Sequence, residues 1–162
     1  MGARSEALAK RIEQGAAQLA AYADKLSDTE WTTPVAPARD GRPVGVVVHH
    51  VASVYPIEVQ LAQAIGSGKA MSDVTWEVVT NMNAGHAKEN AGVSKKDAVD
   101  LLKKNSSEAA AAVRQMTDEQ LDTAAPFGLS FDAPVTAQFV IEDHALRHSW
   151  HHLARIKETL GK

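Results

Sequence analysis

The chain has no cysteine among its 162 residues. This absence excludes disulfide bonds, a thiolate nucleophile supplied by the protein, and every zinc site that needs a cysteine ligand. Any metal ion that the chain binds must therefore be held by nitrogen and oxygen ligands. A reaction that uses a thiol must take that thiol from a second substrate.

A strong net charge and a long apolar segment are also missing. The formal net charge is −3 and the isoelectric point is about 6.1, so no basic surface is indicated for nucleic acid or an anionic membrane. No apolar run approaches the roughly 18–20 residues that span a membrane. The first residues, MGARSEALAKRIEQ, lack the apolar centre of a secretory signal. We therefore expect a cytoplasmic protein without a nucleic-acid or membrane partner.

Alanine and other helix-forming residues are abundant, and apolar residues recur with helical rather than strand periodicity. A chain of this length is expected to form one domain over residues 1–162. No segment predicts a strand, so the expected fold class is all-α, a four-helix bundle. The predicted helical regions are Leu8–Leu26, Pro43–Gly66, Ser72–Asn90, Ser94–Met116 and Pro134–Leu160.

The two halves of the chain resemble each other weakly. KLSDTEW is followed by DGRPVGVVVHH, and QMTDEQL is followed by FDAPVTAQFVIEDH. Each half thus has a helix, an acidic turn, a loop and a helix that carries histidine. One interpretation is convergence on favourable turn residues. The other is two helix pairs with a pseudo-twofold relation, which would place the second and last helices side by side.

The second helix contains adjacent histidines that point in different directions. Because an α-helix turns about 100° per residue, His50 lies in the middle of the apolar stripe that includes Val46, Val54 and Leu61. His49 points about 100° away from that stripe. The helical phase therefore selects His50 as the core-facing residue and predicts His49 at the helix edge.

Four of the seven histidines lie close together in the last helix. His148 and His152 are one helical turn apart at the border of the apolar face, a spacing that lets two imidazoles bind one ion. His144 and His151 fall on the opposite flank, where they would contact the ligands or face solvent.

The predicted third helix carries a row of polar residues, including Asn83 and His86. These side chains would line a pocket or form an exposed polar seam. No general base is evident, since Glu58 lies about 80° from His50 on its helix. The catalytic residues are therefore unknown at this point.

Each histidine also has a purely structural interpretation, because core-facing histidines are often hydrogen-bonded residues without a metal. The combination is more informative than its parts. A core-facing His50 on one central helix and the pair His148 and His152 on another supply three neutral ligands for a divalent metal ion. Three imidazoles suit zinc, nickel, copper or iron, of which zinc is the first expectation.

These segments resemble the DinB/YfiT-like superfamily of four-helix-bundle metalloproteins, and the resemblance covers most of the chain. It is carried by LSDTEW, by PVGVVVHHVA on the second helix and by HSWHHLARI on the last. The resemblance implies a divalent-metal site formed by one histidine of the second helix and two of the last, which are His50, His148 and His152 here. The family commonly has His-His-Arg-Gly-Gln at the last ligand, whereas this chain has HHLARI, so any role of that Arg or Gln does not transfer.

The same resemblance implies several functions. Characterised relatives include S-transferases and isomerases that use low-molecular-weight thiols, together with proteins assigned as metal hydrolases. It also suggests a homodimer. Our leading hypothesis is metal-dependent activation of a thiol for transfer to a small-molecule substrate, and metal-dependent hydrolysis is the alternative. A non-catalytic dimeric bundle that binds a metal or small molecule is a third hypothesis, and a metal-free structural bundle is a fourth.

Overall fold

The computed structural model describes residues 2–36 and 41–162. Most of the predicted Pro- and Gly-rich connection TTPVAPARDGRP is described, but its residues 37–40 lie outside the described part. The helices are α1 (Ala3–Ala23), α2 (Asp28–Thr32), α3 (Val44–Gly66), α4 (Trp76–Glu89), α5 (Lys95–Arg114), α6 (Asp118–Asp122), α7 (Ala137–Val140) and α8 (Arg147–Leu160). A π-helical segment, Ile141–Leu146, joins α7 to α8, so that Ala137–Leu160 forms one continuous last helix.

The predicted all-α four-helix bundle is confirmed. Its members are α1, α3, α5 and the continuous last helix, and their apolar stripes bury one contiguous core. The apolar stripe of α1 is buried at Leu8, Ile12, Ala16 and Leu19, as the sequence predicts. The largest fully buried side chains come from every part of the bundle and include Ile12, Leu19, Tyr55, Ile65, Leu102, Ile141 and Ile156.

Helix α3 is the most buried helix of the bundle. It is long and apolar enough to cross a membrane by length and composition, but most of it is buried inside the bundle, as in the core helix of a soluble protein. It begins after Pro43, where Gly45 lets the Trp31 ring approach so closely that a Cβ would lie 2.3 Å from it. The Trp31 indole N–H donates to the Val93 carbonyl at 3.0 Å, which fixes the ring over the start of α3.

The prediction that the chain has no strands was wrong in one place. Ala124–Pro126 (β1) pairs antiparallel with Pro134–Thr136 (β2), so the last helix begins at Ala137 rather than near Pro134. Strands of three residues are too short to show apolar alternation, which explains why the periodicity missed them. The hairpin supports the chain before α4, since Gly128 donates its N–H to the Met71 carbonyl.

The resemblance between the two halves extends to their local structure. Ser27 and Glu30 form a reciprocal capping box at the start of α2, and Thr117 and Gln120 form the same box at α6. Each box is followed by an antiparallel bridge between two prolines, Pro34 with Pro43 and Pro126 with Pro134. A helix that carries histidines then begins in each half, and these two helices contact each other, as the pseudo-twofold interpretation predicts.

Helix α4 lies outside the bundle. None of its residues is buried, and it lies along α3 on the side where the histidines are. The predicted range Ser72–Asn90 is shortened at its start because Thr75 caps the helix by accepting a hydrogen bond from the Val78 N–H.

Candidate metal centre

Three of the predicted site residues converge between α3 and α8. One ring nitrogen each of His50, His148 and His152 lies within 4.8 Å of the others. His50 Nε2 and His148 Nε2 are 3.1 Å apart, and the His148 and His152 rings stack with centroids 4.8 Å apart. His50 and His152 are buried and His148 is half-buried. The structure therefore brings together the three histidines that the helical phase selects.

Buried hydrogen bonds position the helices that carry the triad. The Tyr55 hydroxyl of α3 and the Ser149 hydroxyl of α8 are 2.6 Å apart, and both residues are fully buried. Burial raises the pKa of Tyr55, so its hydroxyl stays protonated and available as a donor. Asn105 of α5 also donates to the Ala52 carbonyl of α3 at 2.8 Å. These bonds fix the rotation of α3 and α8 about their axes and thereby the directions of the histidines.

A carboxylate that the sequence analysis rejected as a general base contacts the triad directly. Glu58 Oε1 lies 2.5 Å from His148 Nδ1, and the glutamate is only 6% exposed. A carboxylate accepts a hydrogen bond from Nδ1–H, so the Nε2 of His148 keeps its lone pair toward His50 and His152. The bond therefore orients His148 as a ligand.

A sequence signal for Glu58 did exist. It is the only charged residue between Val44 and Gly66. A charge on a buried helix requires a partner, so this residue pointed to a polar contact inside the bundle. The angular argument alone missed it because a glutamate side chain reaches well away from the direction of its Cα.

Two of the triad histidines, His50 and His152, are held in the neutral form that metal binding requires. Burial lowers the pKa of His50 to about 2, and the nearby Arg42 guanidinium adds to this effect. Burial likewise places the pKa of His152 well below its ordinary value. The Nδ1 atoms of His50 and His152 are buried and have no hydrogen-bond partner among the described residues. Three converging imidazoles, two of them held neutral by burial and the third oriented by a carboxylate, are a donor set that fits a divalent transition-metal ion.

The triad forms part of the wall of a cavity of about 490 Å³ between α3, α4 and the last helix. His144, His151 and Asn83 also line this cavity. His144 is half-buried, which lowers its pKa, whereas His151 is exposed and its ring lies 5.1 Å from that of His152. None of the three belongs to the converging group among the described residues.

His49 and His86 form a second pair beside the triad. His49 Nδ1 and His86 Nε2 are 2.8 Å apart and their rings stack, which links α3 to α4. The His86 ring also meets the His50 ring edge-on at 5.6 Å. His49 was predicted at the helix edge, and it is indeed half-buried rather than core-facing. Its contact with His86 could not be read from either helix alone.

The carboxylates of the cavity do not provide an obvious free base. Among the described residues that line it, these are Glu58 and Asp143. Asp143 Oδ1 pairs with the Arg147 guanidinium at 3.1 Å, and Glu58 Oε1 is engaged by His148. The site thus combines three nitrogen ligands with an accessible cavity, and its groups best suit chemistry in which a metal ion activates a bound nucleophile.

Comparison with known proteins agrees with this geometry. A family model described as the DinB superfamily matches residues 11–156. The solved structure of YfiT from Bacillus subtilis, described as a probable metal-dependent hydrolase with an unusual four-helix bundle topology, superposes with a TM-score of 0.75. The alignment covers 98% of this chain and 87% of that one at 18% sequence identity, so the likeness shows the fold. A search of curated proteins finds no significant match.

Proposed function

The chain belongs to the DinB superfamily, and from this premise we propose that it is a metal-dependent enzyme whose ligands are His50, His148 and His152. The observation that carries the proposal is the convergence of three imidazoles in the wall of an accessible cavity. The described residues contain no fourth histidine or carboxylate in that converging group. Three protein ligands with an open position are typical of catalytic rather than structural zinc sites.

A divalent cation in this site supplies Lewis acidity, which lowers the pKa of a nucleophile bound to it. We propose zinc as that ion, because three imidazoles suit it and it is readily available in cells. The residues of the chain supply the rest: His50, His148 and His152 hold the ion, and Glu58 keeps His148 in the tautomer that binds it.

We propose a small thiol as the nucleophile in the cavity: it would lose its S–H proton to solvent, and its sulfur would form a bond to an electrophilic carbon of the substrate as the bond from that carbon to a leaving group breaks. An ordinary thiol has a pKa of about 8.5, against about 15.7 for water, so it needs less help to ionise. This difference matters here because Glu58 and Asp143 are both already engaged. The thiol must come from a cosubstrate, since the chain has no cysteine.

Hydrolysis, with water as the nucleophile, is the second candidate. It is supported by the shared fold with YfiT, which is described as a probable metal-dependent hydrolase. Glu58 Oε2 is buried without a partner among the described residues, so in this alternative it is the oxygen that would accept a proton, while Oε1 stays engaged by His148.

A homodimer and a cytoplasmic location also belong to this proposal, the former supported by the family resemblance. The alanines of α1 do not add support for a dimer, because Ala9, Ala16 and Ala20 are buried within the bundle of one chain. Light scattering during size-exclusion chromatography measures the oligomeric state directly, and a monomer would remove the dimer from the proposal.

The activity is tested on protein purified without a histidine tag or a nickel column. We expect turnover with at least one pair from a panel of small thiols and electrophiles, its loss after chelation and its return with zinc. Activity confined to ester or amide substrates would replace thiol transfer by hydrolysis. His152→Ala should abolish turnover, whereas Glu108→Ala, at an exposed position of α5, is the control that retains it. Rates that do not depend on metal would contradict both candidates.

A further inference from the structure

The cavity beside the triad has two walls of different chemistry. The wall formed by the last helix is polar and includes His144, His148, His151, His152 and the Asp143–Arg147 ion pair. From His50 the cavity continues along α3 past Val54 and Ile57 to Leu61, a distance of roughly 16 Å at the helical rise of about 1.5 Å per residue. Along this length the side chains of α3, α4 and the hairpin form an apolar groove, whose members are Val54, Ile57 and Leu61 of α3, Trp76 and Met82 of α4, and Leu129 of the hairpin.

The apolar side chains of this groove are exposed to an unusual degree. Ile57 is 40% exposed, Trp76 54% and Met82 39%, although all three face one cavity. Large apolar side chains grouped in a concave, solvent-accessible surface mark a ligand site more often than single exposed residues do. Apolar surface of the kind that a bundle core buries is therefore accessible to solvent beside the triad.

Polar contacts rather than core packing hold the outer wall of the groove. The Trp76 indole N–H donates to the Leu129 carbonyl at 3.1 Å, so the ring is oriented while its faces stay apolar. At the far end of α4, His86 bonds His49 at 2.8 Å. Because α4 has no buried residue, these contacts at its two ends keep it over the groove. The groove is thereby formed before any ligand arrives.

We propose that this groove binds an uncharged aliphatic or aromatic arm of the substrate, whose reacting group lies beside His50, His148 and His152. This inference rests on the proposed function for the position of the reacting group. It adds the class of substrate: an amphipathic molecule with an apolar arm, rather than a small molecule that is polar throughout. The reacting group lies beside the triad because the three histidines that would hold the ion are there, whereas the groove side chains named above are all apolar.

The test uses the homologous series of 1-alkanols from butanol to octanol, which have the apolar arm but no reactive group. Binding is followed by tryptophan fluorescence in the full-length protein as purified, and again after chelation. We expect a blue shift as Trp76 is covered and a roughly fourfold gain in affinity for each added methylene that enters the groove. The gain should be the same with and without metal. An affinity that does not rise with chain length would overturn the proposal.

A matched pair of variants tests whether octanol binds in the groove. Met82→Asp puts a charge into the groove and should weaken octanol binding at least about tenfold. Phe139→Asp changes a similarly exposed residue, 44% against 39%, that does not line the cavity, and it should bind octanol as the wild type does. Equal binding by Met82→Asp and the wild type, or equal weakening by both variants, would overturn the proposal.

The other occupant of such a groove is a second copy of the chain. Sedimentation of the same variants tests this directly, because a dimer formed through the groove would dissociate in Met82→Asp and on addition of octanol. That outcome would overturn the substrate-arm proposal. An unchanged oligomeric state supports it. We expect the alkanols to bind the chelated protein as well, so the two proposals can fail separately. Retention of metal by His50→Ala would contradict the proposed function and leave the groove result intact.

Discussion

Glu58 connects the two helices that carry the histidines. Its side chain comes from α3, eight residues after His50, and contacts His148 of α8. A carboxylate with an exposure of 6% is costly in a bundle core unless a donor meets it. The histidine supplies that donor, and the carboxylate in return fixes which histidine nitrogen faces the other ligands. One residue thus has a structural and a ligand-orienting role.

We predict that Glu58→Gln weakens metal binding by about tenfold to a hundredfold. The amide can still accept from His148 Nδ1–H, but it lacks the negative charge that raises the basicity of the imidazole. Competition with a coloured chelator measures the affinity, and circular dichroism checks the fold. Glu108→Gln, an exposed carboxylate of α5, should bind metal as the wild type does. Unchanged affinity in Glu58→Gln would show that the contact does not orient the ligand.

Helical phase predicts single residues well when they lie in one regular helix. His50 and His49 differ in direction by about 100°, which is enough to assign one to the core and the other to the edge. His148 and His152 both lie in the regular α8, after the π-helical segment, so their phase is also reliable. The partners Glu58 and His86 could not be found in this way, because each contacts a histidine on another helix.

At the scale of helices, the contact between α3 and α8 determines the site. The Tyr55–Ser149 hydrogen bond lies in the fully buried part of that contact, next in sequence to His148. Ser149→Ala or Tyr55→Phe alone leaves one buried hydroxyl without its partner, at a cost of about 1–3 kcal/mol.

We predict that the double variant Tyr55→Phe, Ser149→Ala is less destabilised than the sum of the two single variants. Its two apolar replacements leave no unpaired polar group at the contact. Urea unfolding of the wild type and the three variants gives the coupling free energy, for which we expect about 0.5–3 kcal/mol. Additive effects would show that the bond does not join the helices energetically.

The start of α3 depends on glycine. At Gly45 a Cβ would lie 2.3 Å from the Trp31 ring, so Gly45→Ala should destabilise the fold by about 1–3 kcal/mol. Gly85 of α4 has nothing within 4 Å of its Cβ position, and Gly85→Ala should stabilise its helix by about 0.5–1 kcal/mol. Denaturant unfolding compares the free energies of unfolding of the two variants and the wild type. A Gly45→Ala variant as stable as the wild type would mean that the Trp31 ring can shift to make room for the Cβ.

The elements that sequence periodicity missed share a physical cause. The β-hairpin has strands of three residues, and its pairing depends on the segment before α4 as much as on its own residues. The π-helical segment Ile141–Leu146 has a wider turn than an α-helix, so it changes the phase of residues before Arg147 relative to those after it. Such features arise from tertiary packing, whereas the long helices follow from local patterns of apolar residues.

Over the whole molecule, the core is complete without a metal ion. Its four helices bury a contiguous set of aliphatic side chains, and the triad lies at the edge of that core. The metal-free protein therefore contains buried neutral histidines, which link its stability to pH.

We predict that the metal-free protein loses stability as the pH falls below about 6.5, the ordinary pKa of histidine. Burial lowers the pKa of His50 to about 2 and that of His152 in the same direction. Below pH 6.5 the unfolded chain therefore binds protons that the folded chain does not, and each such histidine removes about 1.4 kcal/mol per pH unit. Urea midpoints measured between neutral pH and pH 4 test this, and His50→Phe should flatten the slope. A midpoint independent of pH would contradict the burial of neutral histidines.

Metal content is the most direct test of the central claim that His50, His148 and His152 form one metal site. The protein is purified without a histidine tag, loaded with zinc, dialysed and analysed for metal and protein. The account predicts one ion per chain in the wild type and in His151→Ala, and none in His50→Ala, His148→Ala or His152→Ala, all with unchanged helical circular dichroism. A folded wild-type protein that retains no metal, or a His50→Ala variant that retains it fully, would contradict the account.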